Sequence, residues 1–568
     1  MPLRSPCLTP AALNGKMKNC DRRVPAACAC PRSIAPSSRN AEVAELADAL
    51  HSGCSSRQGV EVRVLSSAPS SVALKPQFST HLSFPSGAWP QAFLGIYNFT
   101  AERTHVRSVS VFAVILCAAF SASQVFAQVT HGGAAALPAV RLTAPIKITQ
   151  STRVEPGAYR VDVPDGQAVI EIAADNVALD LTGVTLESTA AHPWERVGMG
   201  IHAKGHSGIH ITGGIIRGYR FNICLEGEAG TGSEAAIEGS DVSGSRAQRL
   251  LSTDSHFDER DWVNIFDLDA WESYGAGLYL KNIDGALMSH VAAHDGQNGI
   301  MLAHTVHATL EQCDLSRNSG WGIALYGSSE NDLMNDHADW DVRCEGKNYS
   351  AGCDSAGILL MESSNHNRIM GNSFTHSGDG FFLSKSPTGA PSVENYVAFN
   401  DGSYSPHNSF EAVFTRGNQF YHNLADHSDY GFWVSYSRTS VILNNHIEGS
   451  KRDGIAVEHG EGNLFARNQI RSSGAAAIHL FQNGDAPDPS RDYSLLQNVL
   501  EKNSVGILIS RTTGVTISDN TFTDDGIGIK VKTGARGVRV HNNHFSPSSA
   551  VTIVSEDPKA VIPDAAPK

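Results

Sequence analysis

The sequence predicts an all-β fold, a single-stranded right-handed parallel β-helix with about 22–23 residues per coil and inserted loops. Three observations carry this expectation. A short apolar phrase recurs at a nearly fixed step, a phrase built on Asn keeps the same step, and no stretch after residue 140 carries a helical apolar stripe.

The first phrase is one or two of Gly, Asn and Asp, then an apolar, a variable and a second apolar residue. Its first apolar positions are Leu278, Ile300, Ile323, Ile358, Phe381, Phe410, Phe432, Ile455, Ile478, Ile507 and Ile529, spaced 22, 23, 35, 23, 29, 22, 23, 23, 29 and 22. One phrase per coil follows, with loops inserted at three places. The second phrase, Asn-x-apolar, begins at Asn372, Asn445, Asn468, Asn498, Asn520 and Asn543. Asn and Gly tolerate the left-handed backbone of tight bends, and stacked Asn side chains can satisfy buried turn backbone. Alternation over three to five positions is strand periodicity.

Residues 128–200 read as a start module, with strands and tight turns in VEPGAYRV and AVIEIAADNVALDLTGVTLES, since an open helix end needs its strand edges covered. The β-helix proper is expected over 201–548 and a Pro- and Ala-rich tail over 549–568. Residues 1–105 lack periodicity, and the stretch from Asn40 to Pro69 resembles the conceptual translation of a bacterial transfer-RNA gene, so this part is expected to be spurious or a disordered extension. Residues 106–127 read as a secretory signal peptide: Arg107, an apolar run from Val109 to Phe120, and small residues around Ala127. Translation is expected to start near Val106 and the mature chain near Gln128. A secreted or periplasmic bacterial protein follows, without a membrane span.

Lys and Arg number 44 against 58 Asp and Glu, a net charge of −14, which argues against a nucleic-acid partner. Of the cysteines after residue 127, Cys344 and Cys353 stand nine apart in a polar insertion and suit a disulfide in an oxidising compartment, whereas Cys224 and Cys313 lie in strand-like contexts and read as buried. A monomer is expected.

Across roughly residues 140 to 548 these coils resemble the pectin-lyase-like superfamily, with its carbohydrate-binding and sugar-hydrolase repeats. The resemblance implies the fold and a polysaccharide partner. It leaves the reaction open, because lyases, hydrolases, epimerases, tailspikes and non-catalytic proteins share that fold.

In each phrase the two apolar residues face the core, so the residue between them and the one just after face outward. Phe382, Glu411 and Trp433 then follow one another on neighbouring coils, and Lys385, Arg416, Tyr436, Arg438, Glu458 and His459 lie just beyond the strands. Aromatic rings beside charged groups suit a sugar polymer, whose ring faces are apolar and whose edges are hydroxyl or carboxylate. Phe382, Trp433, His407 and His479 are therefore substrate-binding candidates. Pro406-His407-Asn408 is similar to the Asp-Pro-His motif of mannuronan C5-epimerases, with Ser405 where that family has its Asp, and no catalytic role is carried over. The acidic, aromatic segment from Asp258 to Tyr274 reads as an insertion stapled to the helix wall by Trp262 and Trp271.

The leading expectation is a lyase or epimerase acting on a uronate-containing polysaccharide. Both reactions remove the proton next to a carboxylate, which requires a cation for the enolate-like intermediate and a base of suitable pKa. Arg416, Arg438 and Lys385 are the candidate cations, and His459 or Tyr436 the candidate base. The alternatives are an inverting glycoside hydrolase working through Glu411 and Glu458, or a non-catalytic glycan-binding protein of the periplasm or surface. No cofactor or metal is expected, although Asp379, Asp429 and Asp453 at bends are a possible calcium set.

Overall fold

The computed structural model describes residues 137–253, 256–344, 352–484, 488–548 and 551–563. The expected leader segments, 1–105 and 106–127, lie outside the described residues.

The strands form sheets of 16, 17, three and five strands, and every pairing between strands is parallel. The chain winds as a right-handed parallel β-helix. Each coil gives one strand to the 16-stranded sheet and one to the 17-stranded sheet. The small sheets, joined by isolated bridges such as Ser373 to Asp401, make the third face. Register follows the apolar phrase: Phe381 pairs with Phe410, Phe410 with Phe432, and Phe432 with Ile455. All four are fully buried. The rings of Phe410 and Phe432 stack at 4.7 Å, and Phe420 from the second sheet meets them edge-on at 6.2 and 5.7 Å. Each such side chain contributes roughly 1.5–3 kcal/mol by leaving water.

The Asn phrase forms an unbroken ladder through Asn372, Asn400, Asn423, Asn445, Asn468, Asn498, Asn520 and Asn543, because each backbone N–H and each side-chain amide donates to the Oδ1 of the next. Each side chain thereby satisfies a bend in which neither sheet can supply a partner. Asn400 and Asn423 belong to this ladder although they stand outside the Asn-x-apolar phrases named above.

Coil pairing begins early and ends late. Ala139–Val140 already pairs with Thr152–Val154, and Ile553–Ser555 and Val561–Pro563 pair with Ile527–Val531 and Val538–His541. The last coil thus continues past residue 548, where the tail was expected to begin.

Residues 246–253 and 256–275 leave the helix, and the second stretch packs over the outer face of the 16-stranded sheet. They carry a short helix, Leu268–Ser273, capped by Asp267, whose carboxylate accepts the Asp269 N–H. Trp271 is fully buried, 4.5 Å from Trp321 between ring centres. Val263, Ile265 and Trp271 close a second apolar cluster over the outward residues Tyr279, Met301, Ala324, Leu359 and Phe382. Left open, that row would be a large apolar patch. Cys344 and Cys353 are disulfide-linked, and the Cys353 carbonyl accepts the Val263 N–H at 3.3 Å, which ties the disulfide to the cover; Cys224 and Cys313 are free and buried.

Candidate functional site

The outer face changes character where the cover ends. Two positions before the core residue, successive coils carry Asp379, Asn408, Tyr430 and Asp453; one position after it they carry Phe382, Glu411, Trp433 and Ala456. Polar and aromatic groups replace the apolar row.

The densest group is Asp379, His407 and Glu411. Oδ1 of Asp379 accepts the Asn408 N–H at 3.0 Å and faces Nδ1 of His407 at 2.9 Å. Oε2 of Glu411 lies 3.8 Å from the same Nδ1 and accepts from the Asn408 side-chain amide. Asp379 and Glu411 are nearly sealed, whereas 30% of the His407 side chain is exposed. Among the described residues, the hydrogen bond between His407 and Asp379 uses Nδ1, which leaves Nε2 as the nitrogen for a ligand.

Burial opposes a charge on His407, but the Asp379 carboxylate and its hydrogen bond, with Glu411 and Asp429 behind them, outweigh it and raise the pKa to about 9. Burial and the Asp379 charge push Glu411 up to about 8, against the pull of His407 and Asn408. Burial, with Asp379 again adding repulsion, also raises Asp354 to about 8. At neutral pH the group therefore contains an imidazolium beside a protonated carboxyl. Groups shifted in this way by burial and a charged neighbour mark a candidate site.

Of the residues singled out in the sequence, Glu411, His407, Trp433 and His479 come together along this face. Trp433 meets Tyr430 at 4.9 Å and Phe481 at 6.3 Å, and His479 stacks on Phe481 at 4.5 Å. The others do not join them. Phe382 points outward as expected but lies beneath the 256–275 cover, 3% exposed, so it is packing and no sugar platform. Tyr436 and His459 belong to a ring ladder with Phe414 at left-handed turn positions, with centroids 4.8 Å apart. His459 is buried, and the carbonyls of Asp488 and Asn483 lie 2.6 and 3.1 Å from its two nitrogens. With both ring nitrogens against those two carbonyls, it is not free to serve as the expected base. Glu458 is buried, its pKa pushed to about 8 by burial, and it stands two coils from Glu411, 3.8 Å from His459, so the expected Glu411–Glu458 pair does not form. Lys385 donates to the carbonyls of Ser386 and Pro387 in its own turn, and burial lowers its pKa. Arg416 and Arg438 stand in a column at the start of the second sheet, where Arg438 lies 3.4 Å from Asp488 and 3.8 Å from Glu461.

Asp379 and Asp354 were the partners that sequence reasoning did not assign to His407. Asp379 was legible only as a bend carboxylate; its register position, one coil before Asn408, was the available signal. It does not converge with Asp429 and Asp453 as one calcium set: Asp429 faces Lys451 and Arg452 at 3.8 and 3.4 Å, and Asp453 faces His479 at 3.1 Å. Among the described residues, potential metal donors lie within 4.8 Å of one another in three groups: Asp379, His407 and Glu411; His202, Cys224 and Glu226; and Asp426, His446 and Glu448. No described helix is long and apolar enough to cross a membrane.

A sequence model described as periplasmic copper-binding protein (NosD) matches residues 264–423 and 392–560, together more than half of the chain. No curated protein matches the chain by sequence. Among solved structures, the Dettilon tailspike protein gp208 is similar at 16% identity and a TM-score of 0.30, over 73% of this chain and 61% of that one. The chain thus spans about three fifths of that tailspike. The A-module of Azotobacter vinelandii mannuronan C-5 epimerase AlgE4 aligns at 10% identity and a TM-score of 0.32, over 73% and 91% of the two chains. The family 28 exopolygalacturonase of Yersinia enterocolitica aligns at 12% identity and 0.33, over 71% and 74%.

Proposed function

We propose, from the premise that this chain belongs to the periplasmic copper-binding protein (NosD) family, that it is a periplasmic polysaccharide-active β-helix protein acting as a lyase or epimerase on a uronate-containing polymer, with His407, Glu411 and Asp379 as its centre. The observation that carries the reading is the Asp379–His407–Glu411 group, open at Nε2 of His407 and flanked by Trp433.

Copper does not fit this group. Copper(I) favours thiolate and thioether ligands, and copper(II) favours a tetragonal set of four nitrogen and oxygen donors. Asp379, His407 and Glu411 offer three donors, none of them sulfur and one short of a tetragonal set. His407 would also have to lose the proton that Asp379 retains on it. No step is routed through a metal.

The chemistry follows from two neighbouring proton carriers. Glu411, once ionised, takes the proton next to the uronate carboxylate, and the electron pair of that C–H bond moves into the carboxylate. The His407 imidazolium stabilises the charge that develops there. Its proton then goes to the leaving glycosidic oxygen as the C–O bond breaks, which is elimination. Return of a proton to the opposite face of the carbon is epimerisation. Asp379 is a positioning residue that fixes the tautomer and orientation of His407. Asp379 and Glu411 have oxygens within 4.8 Å of each other, closer than the roughly 6.5–9.5 Å an inverting hydrolase requires.

The test is incubation of the full chain with polyuronates and neutral glycans. Ultraviolet-absorbing unsaturated ends or proton exchange with heavy water supports the reading. New reducing ends without unsaturation indicate hydrolysis, and binding without any of these signals indicates a non-catalytic protein; either overturns it.

A further inference from the structure

Asp379 and Asp453 hold the same register position, two residues before the core residue, three coils apart. Both carboxylates accept a backbone N–H from the next coil and face a histidine, although His407 stands three residues before its core residue and His479 one after it. Oδ1 of Asp379 accepts the Asn408 N–H at 3.0 Å and faces His407, while Oδ1 of Asp453 accepts the Ala476 N–H at 2.8 Å and its Oδ2 lies 3.1 Å from Nδ1 of His479. Asp453 is nearly sealed, and 22% of the His479 side chain is exposed. Coils stack at about 4.8 Å, so the two aspartates stand about 14 Å apart along the axis. Tyr430 and Trp433 lie between them. The Arg452 guanidinium sits 5.4 Å over the Tyr430 ring, donates to its hydroxyl at 3.0 Å and lies 3.4 Å from the Asp429 carboxylate, with 59% of its side chain in solvent.

We propose that the Asp453–His479 pair, with Arg452 and the Tyr430 and Trp433 rings, is a second binding subsite that takes an acidic sugar unit of the same polymer. The ligand is then an extended anionic chain laid along the helix axis across three coils. This rests on the reading of the His407 centre given above. Imidazole and guanidinium answer a uronate carboxylate, and the rings answer the apolar faces of the sugars between. Only carbohydrate long enough to reach both pairs gains from the second one.

The experiment is calorimetric titration of the full chain and of the variants His479→Gln and Arg452→Gln with oligogalacturonates and oligomannuronates of graded length. Arg452 is exposed, so that variant retains the fold. The expected result is affinity at least about tenfold higher for long than for two-unit oligomers, with the variants losing this gain. Equal weakening at every length, or no length dependence, overturns the second subsite while leaving the His407 centre standing. The same length gain for neutral oligomers overturns the acidic assignment. Absence of any binding or turnover of uronates by the unaltered chain overturns the reading of the centre, and this subsite with it.

Discussion

Oδ1 of Asp379 and Nδ1 of His407, 28 residues apart in sequence, lie 2.9 Å apart in the structure, and Oε2 of Glu411 closes on the same nitrogen at 3.8 Å. One edge of the imidazole is thereby occupied by carboxyls and the other faces outward. That arrangement supports the first three predictions below.

His407→Gln removes the proton carrier and keeps a polar group of similar reach. Turnover of the responsive uronate polymer is expected to fall by about 10²–10⁴-fold with binding little changed, because a proton-transfer group acts chiefly in the transition state. Parallel kinetics and calorimetry check this; equal losses in both would assign His407 to binding alone.

The activity is expected to be bell-shaped in pH with its maximum on the alkaline side. Glu411 must be ionised to act as base, which occurs above about 8, and His407 must stay protonated to act as acid, which holds below about 9. In Glu411→Gln the base is gone, and residual turnover should lose the rising limb. An optimum near pH 5 would reverse the two roles or exclude them.

Stability should fall as pH rises across the same range. The His407 pKa is raised in the fold above its ordinary 6.5, so its contribution is complete below 6.5 and disappears as pH rises through about 9. Glu411 acts in the same direction, because the unfolded chain ionises it from about 4.5 upward while the fold holds it neutral to about 8. Urea midpoints measured from pH 6.5 to 9 should decline, less steeply in His407→Gln. A rising midpoint would contradict both shifts.

Phe432 and Trp433 are adjacent and face opposite sides. Phe432→Ala opens a cavity in a fully buried stack and should cost about 3–5 kcal/mol. Trp433→Ala should leave the fold intact and weaken glycan binding. Chemical denaturation of the two variants distinguishes them, and the reverse ranking would shift the strand register by one residue.

Asn423 sits inside the Asn ladder, donating to Asn445 and to the Val397 carbonyl while accepting from Asn400. Asn423→Ala leaves several buried polar groups without partners, each worth about 1–3 kcal/mol. A loss of several kcal/mol is expected by denaturation, against a near-silent result for exposed His422→Ala one position earlier.

The sequence by itself determined the coil, its period and its register. A two-residue side-chain alternation repeated at a fixed step allows one stacking, so Phe381, Phe410 and Phe432 had to lie above one another with Glu411 and Trp433 outside. The Asn ladder was legible for the same reason, although Asn400 and Asn423 stand outside the phrase. What only the tertiary structure decided is which outward residues meet solvent. Packing of Trp271 on Trp321 closes the segment around Leu268–Ser273 over Phe382, and the carbonyls of Asn483 and Asp488 close over His459. Those contacts join residues far apart in sequence, and a local pattern records no partner for them. Asp379 came within reach of His407 by the same route: a coil with an insertion of its own separates them along the chain, and only the winding of the helix brings the imidazole back onto that carboxylate.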